Sequence, residues 1–179
     1  MLTIWKPLYK YLRVVHRRSR AEAEQLARGF IKYAPHATRA NARHLLDSYV
    51  LSDHTRAVRG ERFDVDEAEG EIAREDLGEL TPDEYIDREW TKNLFAIAVE
   101  RLRDSSHAGD FALFETYDLD DIVTRSYQSL GARLSDSSSS RLAMIRRHFR
   151  SLILQVLREA AASDDEYRAE VRALLGIEP

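Results

Sequence analysis

Residues 126–158 read SYQSLGARLSDSSSSRLAMIRRHFRSLILQVLR. A short apolar-periodic run, a Ser/Asp turn and a longer arginine-bearing helix follow one another, the outline of a helix-turn-helix whose second helix is presented to a DNA major groove. Seven arginines (Arg125, Arg133, Arg141, Arg146, Arg147, Arg150 and Arg158) fall between Ile122 and Arg158 against one acid, Asp136, in a chain of net charge -4. A basic segment on an acidic chain points to a polyanionic partner for that segment. Leu142, Ile145, Phe149, Leu152 and Ile153 recur at helical spacing and predict the buried stripe of the longer helix. Arg141, Arg146, Arg147 and Arg150 are then the candidates to reach phosphates or guanine edges. Ser137, Ser138 and Ser139 at the helix start are short hydroxyl donors suited to N-capping and to contact with phosphates or bases.

Outward from this segment the charge is strongly uneven. Residues 1–62 hold 13 basic and 5 acidic side chains, whereas residues 63–89 hold 2 and 12. The acidic strip, FDVDEAEGEIAREDLGELTPDEYIDRE, also contains Gly70, Gly78 and Pro82 and reads as a solvated linker. It predicts a domain boundary, with a first domain over 1–62, an acidic linker over 63–80 and a second domain over 81–179. Such a strip could also screen the flanking basic segments from DNA until a partner engages; plain solubilising charge is the favoured explanation.

Helical periodicity dominates both sides of the strip, and only seven Gly and four Pro interrupt it. Ser19 and Glu22 form a capping box, after which Ala23, Leu26, Ala27, Phe30 and Ile31 line one face. The run from Asn41 to Val58 is amphipathic through Ala42, Leu45, Leu46, Tyr49 and Val50. Thr81, Pro82 and Glu84 supply an N-cap, a first-turn proline and an N3 acid for a helix carrying Ile86, Trp90, Leu94, Ile97, Ala98 and Leu102. Phe111, Phe114 and Tyr117 mark a short aromatic helix, with Asp118–Asp121 as a break. Ser163 to Glu166 opens a last helix that ends at Gly176. No stretch alternates with period two for long enough to form a strand. The expected fold is all-α, in two small helical domains joined by the acidic linker.

Composition removes several function classes. Without cysteine there is no disulfide framework, thiolate zinc site or cysteine nucleophile. The six histidines show no HExxH-type spacing, so no metal site is expected. The carboxylates from Asp64 to Glu71 lack the glycine and terminal glutamate of a calcium-binding loop. Glycine-rich phosphate loops and GxSxG elbows are absent, and nothing pairs a nucleophile with a base, so neither an enzymatic activity nor a cofactor is expected. The opening residues MLTIWKPLYKYLRVV carry lysines inside the apolar stretch. That fits neither a signal peptide nor a membrane-spanning helix and leads to the expectation of a cytoplasmic protein without membrane attachment.

Three segments, Tyr9–Phe30 (YKYLRVVHRRSRAEAEQLARGF), Asn41–Arg59 (NARHLLDSYVLSDHTRAVR) and Ser126–Gly176, resemble successive pieces of the extracytoplasmic-function sigma factors of the sigma-70 family. The resemblance implies a region-two-like bundle followed by a region-four-like helix-turn-helix domain, acting with core RNA polymerase on promoter DNA. It implies that the helix containing Glu22, Glu24, Gln25 and Arg28 docks on the polymerase clamp. His44, Tyr49, Ser52, Arg56 and Arg59 would face the melted minus-ten element, and Ser137, Ser138, Ser139, Arg141, Arg146, Arg147 and Arg150 the minus-thirty-five element. An inhibitory, anti-sigma-like regulator would cover the two basic domains. Two alternatives stay open: a stand-alone helix-turn-helix regulator, and a degenerate sigma-like protein working through a protein partner.

Overall fold

A computed structural model describes residues 4–52, 63–74, 80–119 and 140–177. Every regular element among them is helical, with no strand. The chain divides into two units, residues 1–93 and 94–179.

The first unit is organised around α1 (Trp5–Val14). Six consecutive α1 residues, Pro7 to Leu12, are buried. A helix buried on every face must be surrounded, and α1 packs on α2 (Arg20–Tyr33) and on α4 (Asp66–Arg74). Arg17, in the left-handed region with φ 52°, lies in the connection from α1 to α2. α2 then starts on the expected capping box: Ser19 Oγ accepts the Glu22 N–H at 3.4 Å, and Glu22 accepts the Ser19 N–H at 2.9 Å. Ala23, Ala27 and Phe30 face the core. Next comes α3 (Ala42–Leu51), whose Tyr49 ring sits edge-on to Phe30 at 5.9 Å between centroids. The expected helix through Val58 differs from this: α3 ends at Leu51 because Ser52 turns extended and its hydroxyl donates to the Tyr49 carbonyl at 2.8 Å. Residues 53–58 lie outside the described residues.

α5 (Pro82–Ser105) begins where Thr81 and Glu84 predict, with the Thr81 N–H donating to Glu84 at 2.8 Å and the Glu84 N–H to Thr81 Oγ1 at 3.3 Å. Its first half carries Tyr85, Ile86, Glu89 and Trp90 into the first unit, and its second half supplies Leu94, Phe95, Ala98 and Leu102 to the second. The division at 93/94 therefore differs from the boundary expected over 63–80. Part of that strip is itself ordered, since residues 66–74 form α4, whose carboxylates pair with cations of α1 and α2.

The second unit continues with α6 (Ala108–Phe114), one π-helical turn (Glu115–Leu119), α7 (Ser140–Ala160) and α8 (Asp164–Leu175). Phe114 and Phe149 are both fully buried, with ring centroids 4.7 Å apart, and tie α6 to α7. Val171, Leu174 and Leu175 bury the inner face of α8, which packs on α7. Its ends match the expected signals: the Glu166 N–H donates to Ser163 Oγ at 3.2 Å, and Gly176 closes the helix at φ 66°, where a side chain would be strained.

Candidate nucleic-acid interface

α7 presents two chemically distinct faces. Leu142, Ile145, Phe149, Ile153, Val156 and Leu157 are buried, as a 3.6-residue period requires. Ser140, Arg141, Met144, Arg147, Ser151, Gln155 and Arg158 are exposed. The outer face thus carries three guanidinium groups and two hydroxyls, with the exposed Glu159 carboxylate near its C-terminal end, where Arg101 of α5 donates to it at 2.9 and 2.7 Å. Arg141 is anchored at the helix start by Asp110 of α6, its Nε 3.0 Å from a carboxylate oxygen, yet its side chain stays 66% exposed. Arg158 pairs with Asp164 and stands over the Tyr167 ring at 5.2 Å. Arg147 is exposed and Arg150 half-buried, both on the same helix.

Arg146 corrects the sequence expectation. It lies one turn after Leu142 and points inward, where Nε and Nη2 donate to the two Asp118 oxygens at 2.9 and 2.7 Å. The two side chains are only 9% and 5% exposed. Such a bidentate pair is planar, directional and removed from water. It sets how α7 lies against the π-helical turn and turns the Arg146 guanidinium into the protein, away from the exposed face. Leu152, expected on the buried stripe, is half-buried. Ser137, Ser138 and Ser139 lie outside the described residues.

The minus-ten set divides differently. His44 is exposed on α3. Tyr49 is 3% exposed, packed against Phe30 and Tyr33, and burial raises its phenol pKa. A ring enclosed in this way is not placed to receive an unstacked base, a second departure from expectation. Ser52 is committed to its own helix end. Arg56 and Arg59 lie outside the described residues. Of the clamp set, Gln25 is exposed, and exposed Glu22 serves the capping box, whose hydrogen bonds from Ser19 lower its pKa. Glu24 and Arg28 pair with each other one turn apart. Glu24 also accepts the Phe63 N–H at 3.3 Å, and the Arg28 guanidinium stands 5.7 Å from the Phe63 ring centre. These two residues thereby fasten the chain that leads into α4.

The largest feature not foreseen from the sequence is an ion-pair network around α1. Lys10, 1% exposed, reaches Glu89 of α5, itself 2% exposed, and Glu71 of α4 at 2.9 Å. Arg88 and Lys92 also approach Glu89, at 3.2 and 2.9 Å. Arg13 and the Tyr9 hydroxyl both donate to Glu69. Arg13 holds the Glu69 carboxyl below its ordinary pKa, while burial and then the Glu69 hydrogen bond raise that of the Tyr9 phenol. Near the start of α2, His16 Nε2 and Asp47 Oδ1 are 2.8 Å apart, and Tyr11 donates to the same carboxylate at 3.2 Å.

The chain matches no protein-family model, no curated protein and no solved structure. Among the described residues no His, Asp and Glu cluster could hold a metal ion, and no helix is long and apolar enough to cross a membrane. The chemistry on view is therefore ionic and hydrogen-bonding, concentrated on the outer face of α7 and around α1.

Proposed function

We propose that the chain is a promoter-reading subunit of the extracytoplasmic-function sigma type, acting in the cytoplasm with core RNA polymerase and promoter DNA. The observation that carries this reading is the division of α7. Its apolar stripe and the Arg146–Asp118 pair fix the helix to the second unit, while Arg141, beside Asp110, and Arg147 stay outside on the exposed face. A helix anchored on one side and cationic on the other can sit in a major groove, with guanidinium groups reaching phosphates or guanine edges. Its role is recruitment and specificity, and bond chemistry belongs to the polymerase. Arg146 is a positioning residue in this reading, and Arg147 a DNA-contacting one.

The test is co-purification with core RNA polymerase followed by run-off transcription on a promoter library. Arg147→Ala should leave polymerase capture intact and lower promoter-dependent transcription about tenfold or more, since one good base or phosphate contact contributes about 1–3 kcal/mol. Equal loss of capture and transcription would remove the assignment of Arg147 to DNA.

The enclosure of Tyr49 favours one second reading, a stand-alone helix-turn-helix regulator that binds duplex DNA without melting it. Sequence-specific binding in the absence of polymerase, with no polymerase capture, would select it.

A further inference from the structure

Helix α4 is held to its neighbours by charge far more than by apolar burial. Of its nine residues only Ala68 is buried, with Val65 just ahead of it. Its four carboxylates, in contrast, each meet a cation. Lys6 Nζ lies 3.2 Å from Glu67 and 2.5 Å from Glu71. Lys10 Nζ is 2.9 Å from Glu71, Arg13 grips Glu69 at 2.5 and 3.0 Å, and Arg20 reaches Asp66 at 2.6 Å. Lys6, Lys10 and Arg13 recur at helical spacing and form one row, separated by about 6 Å or less along the axis, and Arg20 at the start of α2 adds to it. A row of cations with this spacing is what a nucleic-acid backbone takes, and here carboxylates occupy it.

The ion pairs form two layers of unequal permanence. The inner pair, Lys10 with Glu89, joins α1 to α5 and is removed from water. The outer layer is wetter: Glu67 and Asp66 are 76% and 79% exposed. Pairs of this kind each contribute little and weaken with salt. If α4 left, Lys10 would keep Glu89, so no buried charge would be stranded, and little apolar surface would be uncovered.

We infer that the row Lys6, Lys10, Arg13 and Arg20 is a backbone-binding face for nucleic acid, covered by α4 as an internal polyanion mimic that DNA displaces. The covering helix belongs to the same chain, so it competes at a high effective concentration, and phosphates must outcompete it. The face is therefore weak while α4 carries its charge and strong once that charge is gone. No polymerase is needed for this exchange, so it stands or falls separately from the transcription reading.

The experiment uses the full chain and a DNA duplex of arbitrary sequence, with binding read by fluorescence anisotropy at moderate salt. E67Q/E69Q/E71Q keeps the shape of α4 and should bind about tenfold more tightly than E100Q/D104N/E115Q, which removes the same charge elsewhere. Adding K6Q/R13Q/R20Q should abolish the gain. Equal affinity of the two triple variants, or a gain that survives loss of the three cations, overturns the inference. Hydrogen exchange on the unmodified chain gives a reading that requires no variant to fold. With saturating duplex, amides of residues 66–74 should exchange faster while those of α2 do not, and unchanged exchange in α4 overturns the inference equally.

Discussion

Both units bury aromatic side chains, but they differ in how they handle charge. Around α1 the acidic strip folds back on a basic helix, and cations and carboxylates are spent on one another: Lys6, Lys10, Arg13 and Arg20 all have acidic partners. In the second unit the buried ion pair among the described residues is Arg146 with Asp118, and α7 is otherwise held by its apolar stripe and by more exposed pairs, Arg141 with Asp110 and Glu159 with Arg101. The segment 122–158 has one acid in all, so its arginines have few partners near in sequence and several stay outside. Net charge by segment says which surface is left open only after the fold has matched acids with bases. Among the described residues the first basic segment finds its acids in the adjoining strip, whereas in the second Arg141, Arg146 and Arg158 have acidic partners and Arg147 stays exposed.

The sharpest way to break this comparison is to remove one buried anchor from each unit. Glu89→Ala removes the buried carboxylate that faces Lys10 in the interior, and Phe149→Ala leaves a cavity against Phe114. Each should cost about 3–5 kcal/mol, the first as a stranded charge and the second as lost packing. Denaturant unfolding at two salt concentrations separates the mechanisms, because added salt should change the stability of the unmodified first unit and leave the Phe149 deficit unaltered. A Glu89→Ala cost below about 1 kcal/mol would mean that the inner pair is not the anchor of the first unit.

The next effect concerns Arg146. Asp118→Ala should destabilise the second unit by about 3 kcal/mol, the lower end for breaking a buried pair, since the guanidinium keeps a small outlet to water. Replacing both partners, as D118L/R146M, should recover most of that loss, because packed apolar groups of similar volume substitute well for a buried pair. A double-mutant cycle in thermal unfolding checks this: strong coupling between the positions is expected, and additive losses would place Arg146 outside the core.

Much of the fold was legible because its signals are local. Ser19, Thr81, Ser163 and Gly176 mark helix ends within three or four residues of what they bond, and a 3.6-residue apolar period runs through α2, α5 and α7. α4 was not legible. With Ala68 its one buried residue it has almost no apolar stripe, and its cations lie in a segment distant along the chain, so its carboxylates read as solvated. The division within α5 was hidden for a related reason: a continuous helix shows no break in composition where its packing partners change. Arg146 is different, for the signal was present. It falls one turn beyond Leu142, one turn before Phe149 and two before Ile153 on the same stripe, but the density of arginines outweighed its position.

The smallest effect tests the charged anchoring of α4 by acid. Glu69 and Glu71 both titrate below their ordinary range: Arg13 lowers the first, and for the second the hydrogen bonds from Lys6 and Lys10 outweigh the opposing effect of burial. A carboxyl whose pKa is depressed on folding contributes stability that is fully present above its unfolded pKa and is lost as pH falls through the folded one. Docking of α4 should therefore hold at neutral pH and weaken below the ordinary glutamate range, by on the order of 1 kcal/mol after solvent screening of these partly exposed groups. Trp5, stacked on Phe63 with ring centroids 4.7 Å apart, reports the event next to α4. In a Trp90→Phe background its fluorescence should change in acid before the helix signal does. The E69Q/E71Q variant should lose that early step, because neither position can then take up a proton, and a step that persists would assign it to groups outside α4.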